Sequence, residues 1–393
     1  MKRSFLALSM ASALALLAGA CGGGGGGAGS AGGNANLPDK VGKGEGALKL
    51  IAWDGYTEPQ WVKPFEQKTG CNVSVTVGTT SDDMVRLMRQ GGGSVYDGVS
   101  ASGDATNRLI AGGDVAPVNI KLIPSFKQVI PSLQSPPHNT VDGVHYGVPY
   151  VWGPNFLMYR TDIVKPAPDS WSVALEANSP YAGKVTDYDS PIYIADAALY
   201  LKTHRPDLKI TDPYELTQDQ FNAAIDLLQK QHPGVAKYWS LVGDETGPFK
   251  SGDIVVGTAW PVNEQTLLAD KVPVAAVVPK EGVTGWADTW MMSAHAKHPN
   301  CMYMWMQYTT TAKVQAQVAE SYGATPSNAQ SCPILQKDLG ADTTNNVYHC
   351  GDATYLKSIA LWKTPLAECG DARGSTCVDY NTWTQKWLDI TGA

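Results

Sequence analysis

The chain has 393 residues, 43% of them hydrophobic and 17% charged, with a formal net charge of -7. That is the composition of a soluble globular protein with room for one large or two medium domains. The acidic balance argues against nucleic acid as a partner and fits cationic or neutral ones.

Met1-Lys2-Arg3 precedes an apolar run from Phe5 to Ala20, the pattern of a secretory signal over residues 1–20. The run is too short for a spanning helix, which needs about 20 apolar residues. It ends in Leu17-Ala18-Gly19-Ala20-Cys21, which resembles a bacterial lipoprotein processing site. Cys21 is therefore the expected lipid attachment, and the periplasm or cell surface the expected location. Residues 21–47 begin with Gly22 to Gly27 and stay rich in Gly, Ala, Ser and Asn. Such a stretch cannot bury a core and behaves as a flexible tether, with a reach of about 25–30 Å. Six further cysteines, Cys71, Cys301, Cys332, Cys350, Cys369 and Cys377, are an even number in an exported chain and point to disulfides. Proximity pairs Cys332 with Cys350 and Cys369 with Cys377. A zinc site is disfavoured because no Cys-x-x-Cys occurs.

Leu48 to Trp53 reads as a buried first strand, and Trp61 to Thr69 as a helix stopped by Gly70. Cys71, Val73, Val75 and Val77 alternate as one face of a second strand. Asp82 to Gln90 is a helix stopped by Gly91-Gly92-Gly93. Tyr96 to Val99 is a third strand, and Ser102 stands where a helix N-cap would, ahead of Asp104 to Ile110. This alternation is α/β grammar with a mainly parallel sheet. Further on, Phe156 to Tyr159, Gly183 to Asp187, Asp253 to Trp260 and Val272 to Val278 read as strands. Ile192 to Thr203 and Gln218 to Gln231 read as helices, and Cys301 to Tyr322 as one long helix broken at Thr325-Pro326. A final helix surrounds Trp383 to Leu388.

The stretch Gly282 to Met292 places Trp286, Asp288 and Trp290 on one face if it is extended. An indole beside a carboxylate suits an organic cation: the ring face attracts positive charge and the carboxylate accepts charge-assisted hydrogen bonds. Taken alone, such a segment fits a Trp-rich core strand equally well. Similar chemistry recurs past other strands: Trp53-Asp54-Gly55-Tyr56, Ser102 with Asp104, Asp187-Tyr188-Asp189, and Trp260. In open α/β sheets, ligands collect beyond the carboxyl ends of strands.

From about Leu48 to about Asn328 the chain resembles the spermidine/putrescine-binding proteins of bacterial ABC importers. The resemblance is carried by Trp53-Asp54-Gly55-Tyr56, Tyr96-Asp97-Gly98-Val99, Val148 to Gly153, Gly257-Thr258-Ala259-Trp260, Pro279 to Gly282 with Trp286-Ala287-Asp288, and Glu320 to Pro326. It implies a two-lobed, type II periplasmic-binding-protein-like fold. Each lobe would be a mixed sheet flanked by helices, with two hinge crossovers near Tyr150 and Trp286 and the ligand trapped on closure. The implied segments are 48–150 and 288–323 for the first lobe, and 151–287 and 324–393 for the second. Cys71 and Cys301 would share the first lobe and pair there. Carried over by position, the aromatic contacts fall on Trp53, Tyr56, Trp260 and Trp286, the hydroxyl on Ser102, and the amine-binding carboxylate on Asp288. Asp189 serves as one of two acids beside the helix that follows the Gly183 strand; Ile192 or Tyr193 occupies the place of the other. Asp104 stands where an aromatic is usual, and Ala324 where a Tyr is usual, with Tyr322 close by. Asp54 and Tyr193 complete the expected contacts.

The implied function is an extracytoplasmic lipoprotein that captures a small organic cation such as spermidine or putrescine and hands it to a membrane permease. It would act as a monomer, without cofactor or metal. The departures also admit a quaternary ammonium, an amino acid, a carboxylate or a sugar. An anchored hydrolase is the competing class, but neither a Gly-x-Ser-x-Gly elbow nor a His-Glu-x-x-His helix is present, and the seven histidines do not cluster.

Overall fold

The computed structural model describes residues 38–392, so the expected signal, Cys21 and most of the tether lie outside the described residues. In chain order the first strands are β1 (Ala47–Ala52), β2 (Asn72–Val77), β3 (Gly98–Ala101), β4 (Thr140–Val141), β5 (Val144–His145), β6 (Val148–Pro154) and β7 (Phe156–Arg160). They are followed by β8 (Val185–Tyr188), β9 (Val235–Trp239), β10 (Val256–Ala259), β11 (Val274–Val277), β12 (Val283–Met292), β13 (Thr325–Pro326) and β14 (Ile359–Leu361). One sheet runs β13-β6-β12-β3-β1-β2, with β14 beside β12; the other runs β11-β7-β10-β8-β9. Both are mixed. β1 is parallel to β2 and β3, while β12 is antiparallel to β3 and β6. In the second sheet β8 is parallel to β9 and β10, and β7 is antiparallel to its two neighbours. Helices flank both sheets, which is the periplasmic-binding-protein-like architecture.

The chain passes between sheets at Asn155, the one residue between β6 and β7, and again at 278–282, between β11 and β12. The boundaries expected at 150/151 and 287/288 lie inside β6 and β12. A continuous buried cluster joins the two sheets. The tail serves both: β13 and β14 pair with β6 and β12, whereas the helix Tyr380–Thr391 sets Trp387 against Tyr193 and Tyr238. The three disulfides join Cys71 to Cys301, Cys332 to Cys350 and Cys369 to Cys377.

Several local readings are corrected by packing. β2 is an edge strand, so Val75 and Val77 of the alternating face are 37% and 44% exposed. The run from Cys301 to Tyr322 is two helices, Pro299–Thr309 and Ala312–Tyr322. Thr309, Thr310 and Thr311 turn their hydroxyls back onto the carbonyls of Trp305, Met306 and Tyr308, and Thr311 takes extended backbone angles that begin the second helix. β6 is a buried central strand despite Pro149 and Pro154. A register shift leaves two of its residues, Tyr150 and Val151, opposite the single Asp288 of β12, which relieves the ladder next to Pro149. His295 is exposed, whereas His298 lies 2.8 Å from the buried Asp97 carboxylate.

Candidate functional site

The ends of three parallel or central strands deliver the site. Trp53 and Tyr56 follow β1, Ser102 follows β3 and Trp260 follows β10, while Trp286 and Asp288 lie on β12 itself. Gly55 adopts φ +83°, a left-handed turn that carries Tyr56 inward. Gly153 of β6 lies under the Trp286 indole: a Cβ there would sit 2.7 Å from the ring. Ser102 does begin a helix, Gly103–Ala111, yet its side chain makes no capping bond. Its hydroxyl donates to Asp288 instead. The Tyr56 hydroxyl donates to the other Asp288 oxygen at 2.6 Å.

Asp288 is 3% exposed. Burial pushes its pKa up to about 7, against the opposing pull of Ser102 and Tyr56, and the nearby Asp104 adds to the rise. No basic side chain is among the groups acting on it. Around it, Trp53, Tyr56, Trp260, Trp286, Tyr322 and Trp362 wall a tight hollow of about 10 Å³, room for little more than a water. That is far below the roughly 300–1,000 Å³ of drug-sized pockets, so in this closed arrangement the side chains themselves fill the space a ligand would need. The walls touch each other edge-on: Trp53 and Trp260, from different sheets, have ring centroids 6.0 Å apart, and Tyr56 and Tyr322 are at 5.0 Å. The indole N–H groups of Trp53, Trp286 and Trp362 are buried without a protein acceptor.

Seven of the eleven expected contacts, Trp53, Tyr56, Ser102, Trp260, Trp286, Asp288 and Tyr322, line this hollow. The others do not. Asp54 is exposed. Asp104 is buried behind the hollow and accepts from Ser81 at 2.8 Å. Asp189 accepts from the Trp387 indole at 2.9 Å. Tyr193 donates to the buried Asp187 at 2.6 Å and lines a neighbouring hollow. Trp290 packs in the core against Tyr150 and Trp305. Three residues of the hollows were not singled out from sequence, among them Trp239 at the end of β9. Trp362 lies in the tail and walls both hollows. Asp196, in the first turn of the helix Ile194–His204, faces the second hollow. Its only local signal was an acid in an otherwise apolar helical run.

Two mixed-sheet lobes joined by two crossings, with aromatic and acidic groups from both meeting in a hollow, define a two-lobed solute receptor. A family model for the bacterial extracellular solute-binding proteins matches residues 60–343, and the chain belongs to that family. A spermidine/putrescine-binding periplasmic protein of Escherichia coli (strain K12) is 23% identical over 298 residues, covering 76% of this chain and 82% of the relative. The putrescine/agmatine-binding protein of Pseudomonas aeruginosa is 24% identical over 323 residues, covering 78% and 84%. Among solved structures, the spermidine/putrescine ABC transporter substrate-binding protein of Streptococcus pneumoniae superposes with a TM-score of 0.67 at 18% identity, covering 88% of this chain and 97% of the other. A GABA receptor of the same fold gives 0.61 at 19% identity, covering 88% and 95%. These relatives are solute-binding proteins, not enzymes.

Proposed function

We propose that the protein is the solute receptor of an ABC importer and that it captures a small organic cation, of the polyamine class, between its lobes. The observation that carries this reading is Asp288: a buried carboxylate with two hydroxyl donors, no basic partner, and indoles from both lobes around it. A protonated amine would supply the missing positive charge, and the ring faces would add cation–π attraction of about 2 kcal/mol each when desolvated. The names of the relatives support the same class. Trp53, Tyr56, Ser102, Trp260, Trp286, Asp288 and Tyr322 are the proposed contacts. Closure would turn the lobes about Asn155 and the 278–282 segment. Lipidation at Cys21 would hold the receptor at the membrane beside its permease.

Calorimetry with putrescine, spermidine and agmatine tests this. Asp288→Ala should weaken the bound amine by about 3–5 kcal/mol, because the ligand charge would be left buried and unpaired. Unchanged affinity would remove Asp288 from the site. A second reading, a zwitterion such as an amino acid, is favoured by the three unpaired indole N–H groups, which would suit a carboxylate oxygen. A thermal-shift panel of diamines against ω-amino acids separates the two, since a ligand raises the melting point by mass action.

A further inference from the structure

We propose that Arg108 is a positioning residue for ligand capture: from the first lobe it holds the ring of Tyr380 in the second, and this latch, outside the ligand hollow, sets affinity by keeping the lobes closed. The inference goes beyond the ligand reading above, since it rests on the two lobes and their closure and not on which solute is bound. Arg108 lies on the helix Gly103–Ala111 and Asp82 on the helix Ser81–Met88, both packed on the first sheet. Tyr380 opens the helix Tyr380–Thr391, which packs among second-lobe residues: Trp383 against Phe221 and Trp387 against Tyr193.

The first-lobe half of the latch is held by its own bonds. The Arg108 guanidinium pairs with Asp82, and its Nε donates to the Asp104 carbonyl one turn back, at 3.0 Å. Ser81 donates to the Asp104 carboxylate at 2.8 Å, so the two helices are tied twice. Fixed in this way, the Arg108 cation lies 4.1 Å from the centroid of the Tyr380 ring. That is well within the reach of about 6 Å over which a ring face attracts a guanidinium. Arg108 Nη2 is buried without an acceptor, so the guanidinium relies on the ring as well as on Asp82. The Tyr380 hydroxyl donates to the second Asp82 oxygen at 3.4 Å, and Tyr380 is 4% exposed, so the contact is largely desolvated. None of Asp82, Arg108 and Tyr380 lines the hollow around Asp288. Their contact instead keeps the second lobe, with Trp260, against Trp53 of the first. When only one arrangement of a receptor binds well, the apparent dissociation constant is the intrinsic one divided by the fraction in that arrangement. A contact made only on closure therefore strengthens the binding of every ligand without touching any.

Small-angle X-ray scattering of the ligand-free protein tests the latch, on the wild type, Arg108→Met, Tyr380→Leu, their combination, and Tyr380→Phe. A thermal melt checks that each variant is folded. Arg108→Met and Tyr380→Leu should each enlarge the radius of gyration. The combination should enlarge it no further, because the two side chains act as one contact. Tyr380→Phe keeps the ring and should stay close to wild type. Putrescine affinity on the same set should fall about 5–30-fold in the two expanded variants, the worth of one cation–π contact, through faster dissociation with association little altered. A purely structural role for Tyr380 would lower the melting temperature and leave the radius and the dissociation rate alone. An unaltered radius in Tyr380→Leu, or an expansion in the combination equal to the sum of the single ones, would overturn this inference. Failure of the wild type to bind putrescine, spermidine or agmatine would overturn the amine reading instead, and the scattering would still decide the latch.

Discussion

Asp288 and Asp196 are each walled by aromatic rings and hydroxyls, and burial holds both carboxyls far above the ordinary 3.8, at about 7 and about 8. The sign of the consequence follows from linkage. Unfolded chain releases these protons near 3.8, whereas the folded protein keeps them to about 7 and about 8. Between those pH values the unfolded state binds fewer protons, so the ligand-free protein loses stability from these groups as pH rises. Their contribution is fully present in acid and gone above about pH 8. Asp288→Asn combined with Asp196→Asn should flatten the decline in melting temperature between about pH 5 and about pH 8; an unaltered slope would place the titration elsewhere. Asp187, pushed up to about 7 by burial, Asp104, pushed up to about 6, and the buried Glu245, also raised, would contribute to the remaining slope. A cation bound at Asp288, as proposed, would remove the cost of ionising that acid, so ligand-induced stabilisation should grow over the same range.

Elements rather than single residues explain why Trp362 reaches the hollow. β14 pairs in parallel with the start of β12, and the Trp362 amide donates to the Gly285 carbonyl at 2.7 Å. From there the tail is bonded to both lobes: Thr364 donates to the Asp104 carbonyl at 2.8 Å, and Lys363 meets Asp212 at 2.8 Å. Gly103 is what lets the tail lie this close, since a Cβ on it would fall 1.8 Å from the Trp362 carbonyl oxygen. Gly103→Ala should therefore displace the segment at a cost of about 1–3 kcal/mol, read as a lower melting temperature together with weaker amine binding. A variant that melted and bound like wild type would show that the tail can shift freely. The helix Ala312–Tyr322 ends at Gly323, with φ +76°, and that stop leaves Tyr322 at the hollow.

At the scale of the whole molecule, Cys71 and Cys301 are 230 residues apart in sequence yet bonded. They join the start of β2 to the helix Pro299–Thr309, which arrives only after the chain has built the second sheet and returned. Replacing both with Ser should cost about 2–5 kcal/mol, chiefly by freeing the unfolded chain, and chemical denaturation of the oxidised wild type against the variant would measure it. A difference near zero would mean that native packing alone sets the return.

Much of this architecture was legible in order along the chain. Short apolar runs marked β1, β10 and β11, and alternation marked β2, because such patterns are local. The helix Gln218–Gln231 was legible because Phe221, Ala224, Ile225 and Leu228 fall at helical spacing, and the structure adds a capping box from Thr217 and Gln220. Trp286 with Asp288 stood out because a carboxylate between indoles is unusual chemistry in a strand. What tertiary structure alone decided is which of the similar aromatic and acidic clusters meet. Asp54, Asp104 and Asp189 have the same local signature as Asp288, yet one faces water and two satisfy neighbours. Trp362 and Asp196 have weaker signatures and line the hollows. Local periodicity reports whether a side chain faces inward, but not which interior it enters. That depends on two crossings of the chain and a tail that returns to both lobes, and no window of adjacent residues contains them.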